Sequence, residues 1–546
     1  MVESSKVGVT LVGMEHTEDY NAGHQVASNS IRNGIVIVDF GSQYSHLIAR
    51  RIRELNVYCE VFSFNSSWKS VSSSINVQGI ILSGGPSSVY EEGAPLAPDW
   101  VYNNQLPVLG ICYGMQVIAH QLGGTVISAN KREYGHATLQ KNSDAIPILH
   151  GLDLSTPVWM SHGDQIKELP QGFNILASTN NSPIAVMGNN QNIIGLQFHP
   201  EVVHTAQGQT VLGNFVYNIC HCIPDWTPAN FVSTAIDNIR QQVGSNRVIC
   251  ALSGGVDSSV TASIIHKAIG DQLTCIFVNN GLLRLDEEIR VIETFQRTLK
   301  MNLQYVDASD RFLAKLKGIT DPEEKRHLIG EEFIRVFEDT ARKLDESEPV
   351  HFLAQGTLYP DVIESQTSEN SASAKIKTHH NVGGLPADMK MELVEPLRYL
   401  FKDEIRGVAQ ALNLSNEIVH RQPFPGPGLA IRILGEVTTQ KLDILRRCDW
   451  IVIDEIKRSN LYKSLWQSFA VLTNTYSVGV TGDYRTYGFV VAIRAVDSDD
   501  AMTADWARLP FDVLGKISNR IVNEVPEVNR VVYDITSKPP GTIEWE

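Results

Sequence analysis

Residues 107–124 read PVLGICYGMQVIAHQLGG, and residues 247–260 read RVICALSGGVDSSV. Each is a short apolar run, then a turn of small residues, then a helix-forming stretch. An unbroken apolar run suits a strand buried on both faces, as in a parallel sheet covered by helices. The alternation continues outward from both. Around the first lie GIVIVD (34–39), a helical pattern over 45–55 with Leu47, Ile48, Ile52 and Leu55 on one face, a strand-like stretch at 57–62, and GIIL at 79–82. Around the second lie a helix over 259–269, a strand over 273–278, a helix over 286–299 and a strand at 351–354. Strands alternating with helices predict an α/β protein with two doubly wound parallel-sheet domains.

The 546 residues suggest about three or four domains at roughly 150 residues each. Residues 1–33 mix Glu, His, Asn, Ser and Gly and read as a mobile tail, not a signal peptide. The first unit spans 34–224 and turns strand-rich after Ala145, with strands expected at 158–161, 174–177, 184–187 and 193–198. Pro224, Asp225 and Pro228 make a linker into a second unit, 225–425, which holds a charged helical insertion over 317–343 and closes at PFPGPG. The remainder, 426–546, reads as helix (440–457), strand (487–496), helix (510–523) and strand (530–535), a small α+β domain.

The balance of 46 basic against 61 acidic residues leaves a charge of −15, which argues against general binding of nucleic acid or a membrane surface. Anions must then be met by local clusters of cations and backbone N–H groups. No uncharged apolar run approaches the roughly 18 to 20 residues that span a bilayer. Seven scattered cysteines form no disulfide framework and fit a reducing cytosol. Cys220-His221-Cys222 lacks a second ligand pair at zinc spacing and reads as filler at a helix end.

Gly110-Ile111-Cys112-Tyr113-Gly114 stands between strand and helix, a nucleophile elbow with Cys in place of Ser. The helix N-terminus favours a thiolate and offers N–H groups to an oxyanion. A cysteine after an apolar strand is also ordinary core filler. Gly195-Leu196-Gln197-Phe198-His199-Pro200-Glu201 supplies a histidine just past a strand and a carboxylate two residues on, suited to a base and its orienting acid. A core histidine or a metal ligand would read the same; the zinc deaminase H-x-E pattern lacks its P-C-x-x-C partner here. Ser83-Gly84-Gly85-Pro86 gives a glycine turn for a second oxyanion N–H. Together, in this order, the three strings resemble the class I (triad) glutamine amidotransferases. The resemblance implies Cys112 as nucleophile, His199 as general base and Glu201 as its orienter. It further implies an oxyanion hole at Gly85 and Tyr113, and glutamine contacts at Gln116, Ser161 and His162.

Ser253-Gly254-Gly255-Val256-Asp257-Ser258-Ser259 lies between a buried strand and a helix, where small residues let N–H groups and hydroxyls wrap a phosphate. The G-K-[ST] ending of a Walker A loop is missing. The string resembles the pyrophosphate loop of the N-type ATP pyrophosphatases, which adenylate a substrate oxygen. It implies an ATP contact over Ser253–Ser259, with Asp257 helping to place Mg²⁺. Lys375, Lys377, His379 and His380 add positive charge, and Lys377 is expected at the phosphates.

NNGLLR (279–284), DPEEKR (321–326), GTLYPDVIES (356–365), KTHHNVGGLP (377–386), RQPFPGPGLAIR (421–432) and KPPGTIEWE (538–546) extend the likeness. From Gly34 onward the chain resembles the glutamine-hydrolysing GMP synthase family. One departure is Asn279, where bacterial relatives often have Asp. The resemblance implies that the C2 oxygen of xanthosine 5′-monophosphate (XMP) is adenylated by MgATP and that ammonia then displaces AMP. It places XMP contacts at Arg311, Asp483, Lys538, Ile543 and Glu544. It also implies no organic prosthetic group, a cytosolic enzyme, and a homodimer through 426–546. NAD synthetase shares the loop but not the FHPE triad, and carbamoyl-phosphate synthetase has the triad with another ATP-binding fold. A nucleotide sensor on a dead scaffold would show a broken triad or loop, and both are intact.

Overall fold

A computed structural model describes residues 31–142, 146–347, 349–359, 362, 391–498, 501 and 503–546. Lys375, Lys377, His379 and His380 lie outside the described residues, as does most of the expected N-terminal tail. The first sheet has nine strands: β1 (Arg32–Asp39), β2 (Cys59–Ser63), β3 (Ile75–Leu82), β4 (Val108–Ile111), β5 (Thr125–Lys141), β6 (Ser155–Glu168), β7 (Asn174–Ser178), β8 (Val186–Gly188) and β9 (Ile193–Leu196). Their order is β2-β1-β3-β4-β9-β8-β7-β5-β6. The strands from β2 to β9 pair in parallel, and those from β9 to β6 are antiparallel. The parallel half carries the continuous apolar strands, with Ile35–Val38, Ile80–Leu82 and Val108–Leu109 fully buried. The antiparallel half alternates, as a sheet with one wetted face does.

The second sheet is all parallel, ordered β12-β11-β10-β13-β14, from β10 (Val248–Ala251), β11 (Leu273–Asn279), β12 (Asn302–Asp307), β13 (Phe352–Ala354) and β14 (Glu392–Val394). Strand order reverses direction at β10, so the loop after β10 opens into the crevice where such sheets bind ligands. The third sheet pairs β15 (Gln467–Thr481) with β16 (Tyr484–Asp497) as a long antiparallel hairpin. It adds the short β17 (Asp505–Trp506) and, in parallel with β16, β18 (Val528–Tyr533). Helix Thr439–Arg458 buries Leu442, Leu445, Ile451, Val452 and Ile456.

One face of the second sheet shares a hydrophobic core with the third unit, through Ile249, Ile276, Leu429, Leu445 and Ile493. The first unit meets the second at Arg53, whose side chain is 2% exposed. Its guanidinium lies 4.6 Å from the Tyr58 ring centroid and 4.4 Å from that of Trp226. It donates to Cys59 O at 2.7 Å and Tyr399 O at 3.1 Å, and faces Glu404 at 3.6 Å. Glu404 begins helix Lys402–Ala411 with Lys402 and Asp403, and the three together touch both units. Lys402 Nζ lies 3.8 Å from Asp257 of the glycine loop, and Asp403 pairs with Arg50 at 3.1 Å.

Candidate active site

Cys112 leaves the C-terminal end of β4 and caps helix Tyr113–Gln121 with φ 54° and ψ −104°, a backbone conformation rare for a side-chain-bearing residue. Bonds on both sides hold it there: Cys112 N donates to Leu196 O at 2.7 Å and Gly114 N to Ser83 O at 3.0 Å. The glycines of G-x-C-x-G are packing requirements. A Cβ on Gly114 would fall 2.3 Å from Leu82 O, and one on Gly110 would fall 2.6 Å from the Gly114 carbonyl. The turn folds back on itself too closely for any side chain.

His199 lies just past β9, beside β4 in the sheet. Its Nδ1 and Glu201 Oε1 are 2.7 Å apart, and its ring faces the Cys112 sulfur closely enough for the two to interact. The structure thus brings Cys112, His199 and Glu201 together, with exposures of 6%, 4% and 1%. Burial alone would lower the histidine. The bonds to Cys112 and Glu201, with their negative charge, outweigh burial and push His199 up to about 11. Thr205 Oγ1 donates to His199 O at 2.6 Å, and Tyr44 sets its ring edge against the imidazole at 5.5 Å.

Gly85 packs on the Tyr113 ring, where a Cβ would come within 2.9 Å, and Tyr113 OH donates to Pro95 O at 2.7 Å. Ser161 presents its carbonyl to Cys112 Sγ at 3.6 Å. Gln116 Nε2 and His162 Nδ1 both meet Asp164 O, at 3.2 and 2.9 Å. Three neighbours were not foreseen. Glu133 faces His162 Nε2 at 3.4 Å from the adjacent strand, Arg51 Nε donates to Glu201 O at 2.9 Å, and Gln197 Nε2 approaches Cys112 Sγ at 3.8 Å. Gln197 was legible: it stands two residues before His199, and that spacing puts both on one side of an extended chain.

The glycine loop is tied by its own hydroxyls. Ser253 Oγ and Ser258 Oγ are 3.0 Å apart, Gly255 N donates to Ser253 Oγ at 3.3 Å, and Ser259 Oγ donates to Gly255 O at 2.6 Å. Gly254 takes φ 71°, and its carbonyl accepts from Arg421, which also pairs with buried Glu287. Val256 and Asp257 open helix Val256–Ile269, so the loop sits at a helix N-terminus. Asn279 donates to Glu288 and to Tyr305 OH, the latter at 3.1 Å.

Of the five expected XMP contacts, Lys538, Ile543 and Glu544 share one segment, and Arg311 and Asp483 lie on other elements. Arg311 is held by Glu332 at 2.7 Å and Asp339 at 3.1 Å. Three buried cations pin down the segment of Lys538, Ile543 and Glu544. Arg494 donates to Thr536 O and Thr542 O at 2.6 and 3.1 Å, Arg432 holds Glu544 at 2.8 Å, and Lys325 pairs with Glu546. Lys538 Nζ donates to Ala501 O at 2.8 Å, and Ile543 packs on Phe469 and Val496. Asp483 lies in the exposed turn between β15 and β16. From there to Arg494 is eleven positions along the strand, roughly 36 Å at extended spacing.

Among the described residues no group of three or more His, Cys, Asp or Glu side chains is placed to hold a metal ion. Cys220 fills the space beside Gly79, where a Cβ would meet its sulfur at 2.4 Å. No helix of the described residues is long and apolar enough to cross a membrane.

Three family models match in succession: glutamine amidotransferase class-I over residues 36–219, NAD synthase over 230–332, and GMP synthase C terminal domain over 454–545. The middle match covers the glycine loop. A GMP synthase [glutamine-hydrolyzing] of Dehalococcoides mccartyi is 64% identical over 517 residues, 95% of this chain and 96% of that protein. The protein of the same name from Thermomicrobium roseum is 59% identical, over 94% of this chain and 97% of its own length. One from Symbiobacterium thermophilum is 57% identical over 94% and 99%. With triad, glycine loop and C-terminal unit all matched in order, the chain belongs to the glutamine-hydrolysing GMP synthase family.

Proposed function

We propose a division of labour among the residues above for the family reaction, in which XMP, ATP, glutamine and water become GMP, AMP, diphosphate and glutamate. The enzyme is a C–N ligase of guanine nucleotide synthesis. In the first unit Cys112 attacks the glutamine side-chain carbonyl, and the N–H groups of Gly85 and Tyr113 hold the oxyanion. His199, oriented by Glu201, gives its proton to the departing ammonia and then takes one from water. Gln116, Ser161 and His162 line the glutamine. The observation that carries this reading is the buried Cys112–His199–Glu201 array on a strained elbow.

In the second unit the loop Ser253–Ser259 holds the ATP phosphates, with Lys377 adding charge. The loop offers hydroxyls and one carboxylate at a helix N-terminus, hard donors that fit a magnesium–phosphate complex. Asp257 would hold Mg²⁺, which offsets charge on the leaving diphosphate. XMP binds against the segment carrying Lys538, Ile543 and Glu544, with Arg311 approaching from the second unit. Asp483 would serve such a site only from the partner of a homodimer. The exposed apolar face of the hairpin, Tyr476, Val478, Val480 and Tyr487, supports pairing of two copies there. We assign the enzyme to the cytosol, where its seven thiols stay reduced.

Two variants test the assignment. Asp257→Ala is expected to remove diphosphate release with either nitrogen source. Lys538→Ala is expected to raise the XMP KM by about tenfold or more, the scale of a charge-assisted hydrogen bond. Diphosphate release at the wild-type rate, or an unmoved KM, contradicts the respective role.

A further inference from the structure

Gln197 is a buried amide that the triad leaves without a task. It is 0% exposed, its Nε2 lies 3.8 Å from Cys112 Sγ, and its Oε1 has no hydrogen-bond partner. A buried amide with one end unpartnered destabilises a fold, so an apolar side chain would serve the core better. Two kinds of group face the sulfur. The Ser161 carbonyl, 3.6 Å away, accepts a proton and suits the neutral thiol. The Gln197 amide and the His199 ring donate and suit the thiolate. Of these two donors, only His199 gives its proton away during turnover.

We propose that Gln197 is a further catalytic residue of glutamine hydrolysis, its side-chain N–H donating to the Cys112 sulfur whenever that sulfur carries negative charge. The proposal rests on the reading of Cys112 as nucleophile. The thiolate attacks the amide carbon, the C–N bond breaks, and ammonia leaves with a proton from His199. Water then adds to the thioester and passes a proton to His199. The C–S bond breaks, and the sulfur departs with the electron pair. Gln197 is placed to hold the sulfur both as it attacks and as it leaves, when the Ser161 carbonyl repels it. The titratable groups around the sulfur are His199 backed by Glu201, and His162 backed by Glu133 from the β5–β6 ribbon.

The test uses the full chain and two variants. Gln197→Met keeps the volume without a donor, and Gln197→Asn withdraws the amide by one carbon. Iodoacetamide alkylation of Cys112 is followed against pH by mass spectrometry, beside glutaminase kcat and KM and ammonium-supported GMP synthesis. Both variants are expected to move the alkylation midpoint up by about one pH unit and to lower kcat about tenfold. Glutamine KM and the ammonium-supported rate stay near wild type. A midpoint that does not move overturns the proposal, even if kcat falls, because a packing defect alone would do that. If the Met variant does not fold, the Asn variant decides. Glutaminase activity surviving in Cys112→Ala would instead remove the nucleophile assignment beneath the proposal.

Discussion

His199 takes up its proton far more readily in the folded chain than in the unfolded one, about 11 against 6.5. A raised value means the bound proton stabilises the folded state. That contribution is complete below about pH 6.5 and is lost as pH rises toward about 11. His199→Gln is therefore expected to lower the denaturation midpoint of the first unit most near pH 6.5 and least near pH 11. Denaturant melts of both proteins across that range check it, and a gap that widens with pH contradicts it.

At the scale of elements, helix Lys402–Ala411 joins the two chemistries. Consecutive residues at its start face Asp257 in one unit and Arg50 and Arg53 in the other. Removing Glu404 takes away the only carboxylate paired with Arg53 among the described contacts and leaves Trp226 Nε1 without its acceptor at 2.5 Å. Glu404→Ala is expected to lower glutamine-supported GMP synthesis several-fold more than ammonium-supported synthesis, because it loosens the units without touching either site. Parallel rate measurements with the two nitrogen sources check this, and an equal loss with both contradicts it. None of this contact was legible in the sequence, since Arg53 and Glu404 are 351 positions apart and neither lies in a motif. The parallel strands were legible, because burial on both faces makes them continuous apolar words. β5 was missed because TVISANKREYGHATLQK is polar along most of its length, and β15 because QSFAVLTNTYSVGVT mixes both characters. Such strands are fixed by their partners across the ribbon more than by their own composition. The elbow and loop were legible because a tight turn demands glycine. The place of Asp483 at the tip of the β15–β16 hairpin was not, because family strings carry no distances.

At the scale of the molecule, two separate sites act in sequence on one chain, and the β15–β16 hairpin leaves an apolar face exposed. For the proposed homodimer, Val478→Asp with Tyr487→Asp is expected to sediment as a monomer where the unaltered chain sediments as a dimer, while ammonia release from glutamine persists; a double variant that still sediments as a dimer contradicts pairing through β15 and β16. The two-site account is tested most directly by Cys112→Ala, assayed for GMP and AMP with XMP, MgATP and either glutamine or ammonium. On the proposed assignment the sulfur is needed only to free ammonia, and Cys112 lies in a different unit from the glycine loop. The expected result is no GMP from glutamine and a near wild-type rate from ammonium; loss of both activities in a folded protein, or GMP still formed from glutamine, would contradict it.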